Sequence, residues 1–231
     1  MKIQIAATRF FSTHHATAAD VLAGRVPEVT APAYPLLAGR ARRFTSLVTQ
    51  MHMEVLGALP VDPAALPCSV FATVHGEIQT AEKLIADFRA NALVSGARFA
   101  LSVHNSPSGL YSVATGSTSP TTTVTGSNAL AAGWLEAALT AHDRPVLLSI
   151  ADEPVPAVFH GPAESVGVAA GFMLGRSGRP AELVMATGET DVDTVQTLAR
   201  IADACASDAA AVIALGSVQP GTTLELHVSA L

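Results

Sequence analysis

The chain has 231 residues, 49% of them hydrophobic and only 14% charged, with a formal net charge of −6. Ordinary soluble domains carry roughly 25% charged residues, so few charges are left here to cover the outside, and a large permanent apolar interface is the expected outlet. The acidic balance, with no RNA or DNA module pattern, excludes a nucleic-acid binder, and no apolar run reaches the roughly 18 residues that a membrane span needs.

The start, MKIQIAATRF, alternates as a strand over Lys2–Ala7 and lacks the continuous apolar stretch of a secretory leader, so the cytoplasm is the expected compartment. Pro27, Pro32 and Pro35 make Val26–Pro35 a loop. Phe44, Leu47, Val48, Met51, Val55 and Leu56 recur at helical spacing and predict a helix from Arg42 to about Ala58, ended by Leu59-Pro60. Arg40, Arg42 and Arg43 sit in its first turn, where cations oppose the helix dipole; contact with an acidic partner and a solvated charged end are the competing explanations. A strand over Ser69–Val74, a helix over Thr80–Ala92, the SVHN segment, a short helix and a turn at Ser117–Pro120 follow.

The β-branched run Thr121–Thr125 then breaks at Gly126 into Ser127, Asn128 and a helical pattern reaching Ala141. A hydroxyl at the first turn of a buried helix faces the positive end of the dipole and unpaired N–H groups, which favours an anion or a nucleophile there. Serine is equally a preferred N-cap. His75, in His75-Gly76-Glu77, and His104, in His104-Asn105, fall near strand ends and would offer Ser127 a base in a free-standing serine-dependent acyltransferase or thioesterase. Against that, Thr125-Gly126-Ser127-Asn128-Ala129 is not a GxSxG elbow, and a partly buried imidazole bonded at a turn is the other role open to both histidines.

Further strands are predicted over Val146–Ala151, Gly167–Gly175, Glu182–Ala186 and Thr222–Ser229, with a turn at Arg176–Pro180 and a helix over Asp191–Cys205. The apolar run Ala209–Leu215 is too short to span a membrane. Cys68 and Cys205, far apart and without CxxC or paired Cys/His spacing, suggest two structural thiols rather than a metal site or a disulfide. There is no solenoid repeat, and strands alternating with helices of these lengths indicate a layered α/β domain.

FATVHGEIQTAEKLI (Phe71–Ile85), FALSVHNSPSGL (Phe99–Leu110), TTTVTGSNALAAG and VLLSIADEPVP (Val146–Pro156) occur in that order, and with them the chain resembles the short β-ketoacyl synthase-like proteins of chain length factor type that accompany polyene-type ketosynthases. The likeness runs from about Arg42 to Gly175. It implies a truncated thiolase-like (ketosynthase-type) layered αβα fold, with a mixed five-stranded sheet and a buried central helix. Residues 1–188 would form one thiolase-type half and 189–231 an abbreviated extension packed on it.

In the condensing members of that family the strand-to-helix turn carries a cysteine that takes the acyl chain, and matching AGWLEAA to the body of that helix puts Ser127 at this position. A thiol at a helix N-terminus ionises readily, whereas a serine hydroxyl without an adjacent base stays protonated. Condensing members also need two histidines late in the chain. Here the late ones are His160 and His227, neither in the family's Gly-His context, and the sequence stops at Leu231.

The resemblance therefore implies a subunit without independent activity and without a cofactor. It would pair through Thr121–Thr125 with a homologous ketosynthase in a heterodimer and close the end of its acyl tunnel, in a polyene, polyketide or fatty-acid-like pathway of aryl-polyene type. By position, Pro107, Leu110, Tyr111, Ala114, Thr123, Thr125, Ser127 and Trp134 are the expected tunnel and interface residues, with His75, Glu77, His104 and Asn105 as family motifs. Arg40, Arg42 and Arg43 are the expected contacts for an acidic acyl carrier protein.

Overall fold

The long first strand fixes the architecture, because two different neighbours share it. In the computed structural model, which describes residues 1–28, 31–37, 39, 42, 45–61, 67–162 and 165–230, the strands are β1 (Lys2–Ser12), β2 (Cys68–Thr73), β3 (Thr121–Thr125), β4 (Val146–Asp152), β5 (Val168–Gly175), β6 (Arg179–Thr187), β7 (Ala211–Gln219) and β8 (Thr222–Val228). Gln4–Ser12 of β1 pairs antiparallel with β5, while Lys2–Ile5 pairs antiparallel with β6. A single mixed sheet of eight strands results, in the order β3-β2-β4-β5-β1-β6-β8-β7, with β2 parallel to both β3 and β4.

The expected five-stranded sheet is thus corrected to eight. Its five strands are present as β3-β2-β4-β5-β1, but β1 is long enough to carry three more on its free edge. The sheet is continuous across residue 188. One of the added strands, β7, was not predicted: its apolar run holds only part of the strand, and its ladder with β8 is broken by two register shifts. The turn expected through Pro180 ends earlier, because Arg179 and Pro180 already pair with β1.

Seven α-helices accompany the sheet: α1 (Ala18–Leu22), α2 (Leu47–Gly57), α3 (Ile78–Asn91), α4 (Gly96–Ala100), α5 (Ser106–Thr115), α6 (Ala129–Thr140) and α7 (Thr194–Ala206), counted among the described residues. α6 is the expected central helix. It packs on β2 and β4 and also on β7, so the sheet curls around it, and Ala129, Leu130, Ala131, Gly133, Trp134, Ala137 and Ala138 are all buried. Together with α7 it fills the main core, where Trp134, Leu148, Phe172, Leu198 and Ile213 meet.

The opposite face is covered by α2 and α5, around Met53, Leu56, Phe71, Tyr111 and Leu147. Period-two alternation sends Cys68, Val70 and Ala72 of β2 to the first core and Phe71 to the second. Of the helix expected from Arg42, residues 43 and 44 lie outside the described residues and Leu47–Gly57 forms α2, whose start is capped by the Ser46 side chain accepting the Thr49 N–H at 3.1 Å.

Candidate functional site

The three parallel strands end side by side, Thr73 level with Thr125 and Ala72 with Ile150, so the residues just beyond their carboxyl ends share one rim. Ligands in open α/β sheets bind at such a rim. Ser127 follows β3 there, after Gly126 at φ +109°, a backbone that L side chains rarely adopt. Ser127 is exposed and does not cap α6: the N-cap is Asn128, which makes no side-chain capping bond. Among the described residues no side chain is hydrogen-bonded to Ser127, so neither histidine is placed as its base.

His75 follows β2. Its backbone N–H donates to Asp152 Oδ1 at 3.1 Å, as do the Val74 N–H at 2.8 Å and the Thr73 hydroxyl at 2.8 Å. The turn closes through Gly76, at φ +60°, whose N–H donates to Thr73 Oγ1. His104 packs against this turn, since a Cβ on Gly76 would sit 3.7 Å from the His104 Cβ. The structure thus brings the two motif histidines together, but both rings and Asn105 are exposed, which corrects the expectation of partly buried imidazoles.

Beneath the turn lies a buried set of carboxylates. Glu153 accepts the Gln79 N–H on Oε1 at 2.8 Å and the Val48 N–H on Oε2 at 3.2 Å, so it serves the N-termini of α3 and α2 together. Glu77, the N-cap of α3, accepts the Thr49 hydroxyl at 2.7 Å. Desolvation raises all three acids. It lifts Asp152 against the opposing hydrogen bonds from His75 and Thr73, lifts Glu77 against hydroxyls from Ser46, Thr49 and Thr80, and takes Glu153 up to about 7, helped by the charge of Glu77. Asp152 and Glu153 were not singled out in the sequence. The available signal was two acids ending a strand, VLLSIA, that is otherwise buried throughout, where only fixed N–H and O–H donors make them tolerable.

The expected tunnel residues do not form one wall. Tyr111 belongs to the α2 and α5 side of the sheet, while Trp134 is fully buried on the other side with its ring 4.7 Å from that of Phe172, so Trp134 is corrected to a core residue. Pro107 is buried, Leu110 half-buried and Ala114 exposed. Tyr111 also lines a cavity of about 350 Å³ with Leu36, Leu56, Leu59 and Thr115. Thr123 is half-buried and donates to Ser108 Oγ at 3.3 Å, and Thr125 is exposed.

Of the arginine cluster, Arg40 and Arg43 lie outside the described residues, and Arg42 is exposed with its guanidinium 4.3 Å from the Tyr34 ring centroid. His160 is exposed at φ +61°, and His227 Nε2 lies 2.8 Å from Glu225 Oε2. Cys68 is buried and Cys205 half-buried, both free. Among the described residues no three His, Cys, Asp or Glu side chains gather as metal ligands, and no helix is long and apolar enough to cross a membrane.

The family model described as "Beta-ketoacyl synthase, N-terminal domain" matches residues 16–220. No curated protein sequence matches. Among solved structures, the chain is similar to a ketosynthase (ApeO) in complex with its chain length factor (ApeC) from Xenorhabdus doucetiae, with a TM-score of 0.75 and 16% identity over 98% of this chain and 99% of that one. It is similar to the ishigamide ketosynthase/chain length factor, with a TM-score of 0.71 and 13% identity over 99% of both chains. A third similar structure is AntDE:AntF, a type II polyketide acyl carrier protein in complex with its ketosynthase, with a TM-score of 0.69 and 12% identity over 100% of both chains.

Proposed function

Since this chain belongs to the β-ketoacyl synthase N-terminal domain family, we propose that it is a chain length factor-like subunit without catalysis of its own. It pairs with a homologous ketosynthase and shapes that partner's acyl tunnel, in a polyene or fatty-acid-like pathway of aryl-polyene type. The observation that carries this reading is the contrast between the two ends of the sheet. β7, at one end, is broken by register shifts between Ala214 and Gly216 and between Ser217 and Gln219, and such bulges guard an edge against pairing. β3, at the other end, pairs with β2 in unbroken register, consists of uncharged β-branched residues and has no strand on its outer side among the described residues. A regular, uncharged edge of this kind is a template for another chain.

Three further features support this reading. Val113, on the α5 helix that packs on β3, is 80% exposed, and Phe88, Leu93 and Phe99, on α3, the segment after it and α4, are 59%, 74% and 60% exposed. Among the described residues no base is hydrogen-bonded to Ser127, which makes it a poor acyl acceptor as it stands. Arg42, exposed beside the start of α2, is the described member of the cluster assigned to an acidic acyl carrier protein.

Co-expression with a homologous ketosynthase tests the reading: a stable one-to-one complex is expected, and neither chain alone should give the product length distribution of the pair. Thioester hydrolysis or transfer by the purified lone chain, abolished by Ser127→Ala, would establish the serine enzyme in its place.

A further inference from the structure

We propose that Glu77 and Glu153 form a proton-dependent latch that holds α3 and the α4 segment after it against the body of the protein. Apolar packing does little of this work. α3 buries one residue, Leu84, α4 buries none, and Ile85, Phe88 and Phe99 face solvent. The polar ties instead converge on the start of α3. Gln79 donates its N–H to Glu153 Oε1 and its Nε2 to the Pro154 carbonyl at 3.0 Å, while Glu77 accepts the Thr49 hydroxyl from α2.

Two helix N-termini, each equivalent to about half a positive charge, therefore face two carboxylates that are only 4% and 2% exposed. One negative charge matches that field and two overload it, so the closed form favours a pair that keeps one proton and titrates as a unit. The donors decide where the proton sits. Glu153 faces backbone N–H groups, which can only donate, whereas Glu77 faces the hydroxyls of Ser46, Thr49 and Thr80, which can turn round and accept.

Among the described residues, Lys83 on α3 is the other charged group that acts on Glu153, while the neighbouring Asp152 is held by the Thr73–His75 turn. A cavity of about 400 Å³ lined by Ser46, Thr80, Lys83, Ser95 and Arg98 lies beside the pair, since the hydroxyls of Ser46 and Thr80 touch Glu77. Burial holds both acids above the 4.5 of a free glutamate, so the closed form takes up more protons than the open one. Closure is then fully favoured below 4.5 and weakens as pH rises through about 7.

Hydrogen–deuterium exchange of the full chain at pH 5.5 and 8.5, corrected for intrinsic rates, tests this, with α6 amides as the control for global folding. Protection of the α3 amides should fall at least tenfold at the higher pH while α6 holds. Glu77→Gln keeps the hydroxyl contacts without the second charge and should hold α3 closed at both pH values. Glu153→Gln turns an N–H₂ towards Val48 or Gln79 and should loosen α3 at both. Lys83→Met, a surface change, should move the opening to higher pH, and it reads the latch even if a Glu77 variant folds poorly. Wild-type protection independent of pH, a pH response surviving in Glu77→Gln, or an unmoved midpoint in Lys83→Met would each overturn the proposal.

Discussion

The His52 imidazole lies wholly inside the protein, its Nδ1 2.7 Å from Ser149 Oγ, its Nε2 without a partner among the described residues and its ring against the edge of Phe71. Desolvation lowers its pKa from the usual 6.5 to about 3. The unfolded chain therefore takes up a proton that the folded one refuses, and this stability is present above 6.5 and lost as pH falls towards 3. The Glu77–Glu153 pair runs the other way, its contribution present below 4.5 and lost as pH rises through about 7, so the two slopes oppose each other between 4.5 and 6.5, and of the two only that of His52 acts below 4.5. His52→Gln keeps a bond to Ser149 without the titrating ring. The stability difference between wild type and variant, from urea unfolding, should shrink with acid by up to about 1.4 kcal/mol per pH unit below neutrality. A difference constant with pH would contradict a neutral buried ring. The sequence held a signal for this residue, since position 52 is four beyond Val48 on the stripe that Val48, Met51 and Val55 define. Ser127 shows the converse: a hydroxyl at the helix start was legible, but whether it or Asn128 caps depends on where Gly126 turns the chain.

At the scale of elements, α6 and β3 were both readable, because a helical apolar pattern and a β-branched run each carry their own period. How closely they pack on their neighbours was not. A Cβ on Gly133 would come 2.7 Å from the Ala72 Cβ on β2, too close for either backbone to ignore. Alanine is the better helix former by about 1 kcal/mol, but overpacking a core costs about 1–3 kcal/mol. Gly133→Ala should therefore lower the thermal midpoint despite its propensity, and a rise in Tm would mean that α6 lifts off β2 freely. The pairing role proposed for β3 is separable from its fold. Thr125 is exposed on a strand with one neighbour, so Thr125→Lys should change monomer stability by no more than about 0.5 kcal/mol and weaken binding to a ketosynthase partner at least tenfold, about 1.4 kcal/mol, as read by calorimetric titration. Unchanged affinity would move the interface away from this edge.

At the scale of the whole molecule, the sequence showed β6 and β8 but neither β7 nor the place of all three beyond β1, because their order in the sheet is set by contacts remote in the chain. Arg179 is the residue that assembles them. It is 5% exposed, and its Nε donates to the Ser229 carbonyl at 3.0 Å, Nη2 to the Ala209 carbonyl at 2.6 Å and Nη1 to the Ser207 carbonyl. These carbonyls lie after β8, before β7 and at the end of α7, so one planar fork ties β6 to three points of the chain that follows it. Among the described residues no carboxylate forms an ion pair with Arg179, and its charge is met by carbonyl dipoles alone. Truncating it strips three partly buried acceptors of their donor, at about 1–3 kcal/mol for each that water does not reach. Arg179→Ala should thus cost about 3 kcal/mol or more in denaturant unfolding and speed proteolysis after residue 206. Arg179→Lys keeps the charge, but its single nitrogen cannot span three carbonyls in one plane, so it should recover only part of the loss. Full recovery by lysine would show that charge, and not the shape of the fork, holds α7, β7 and β8 to β6.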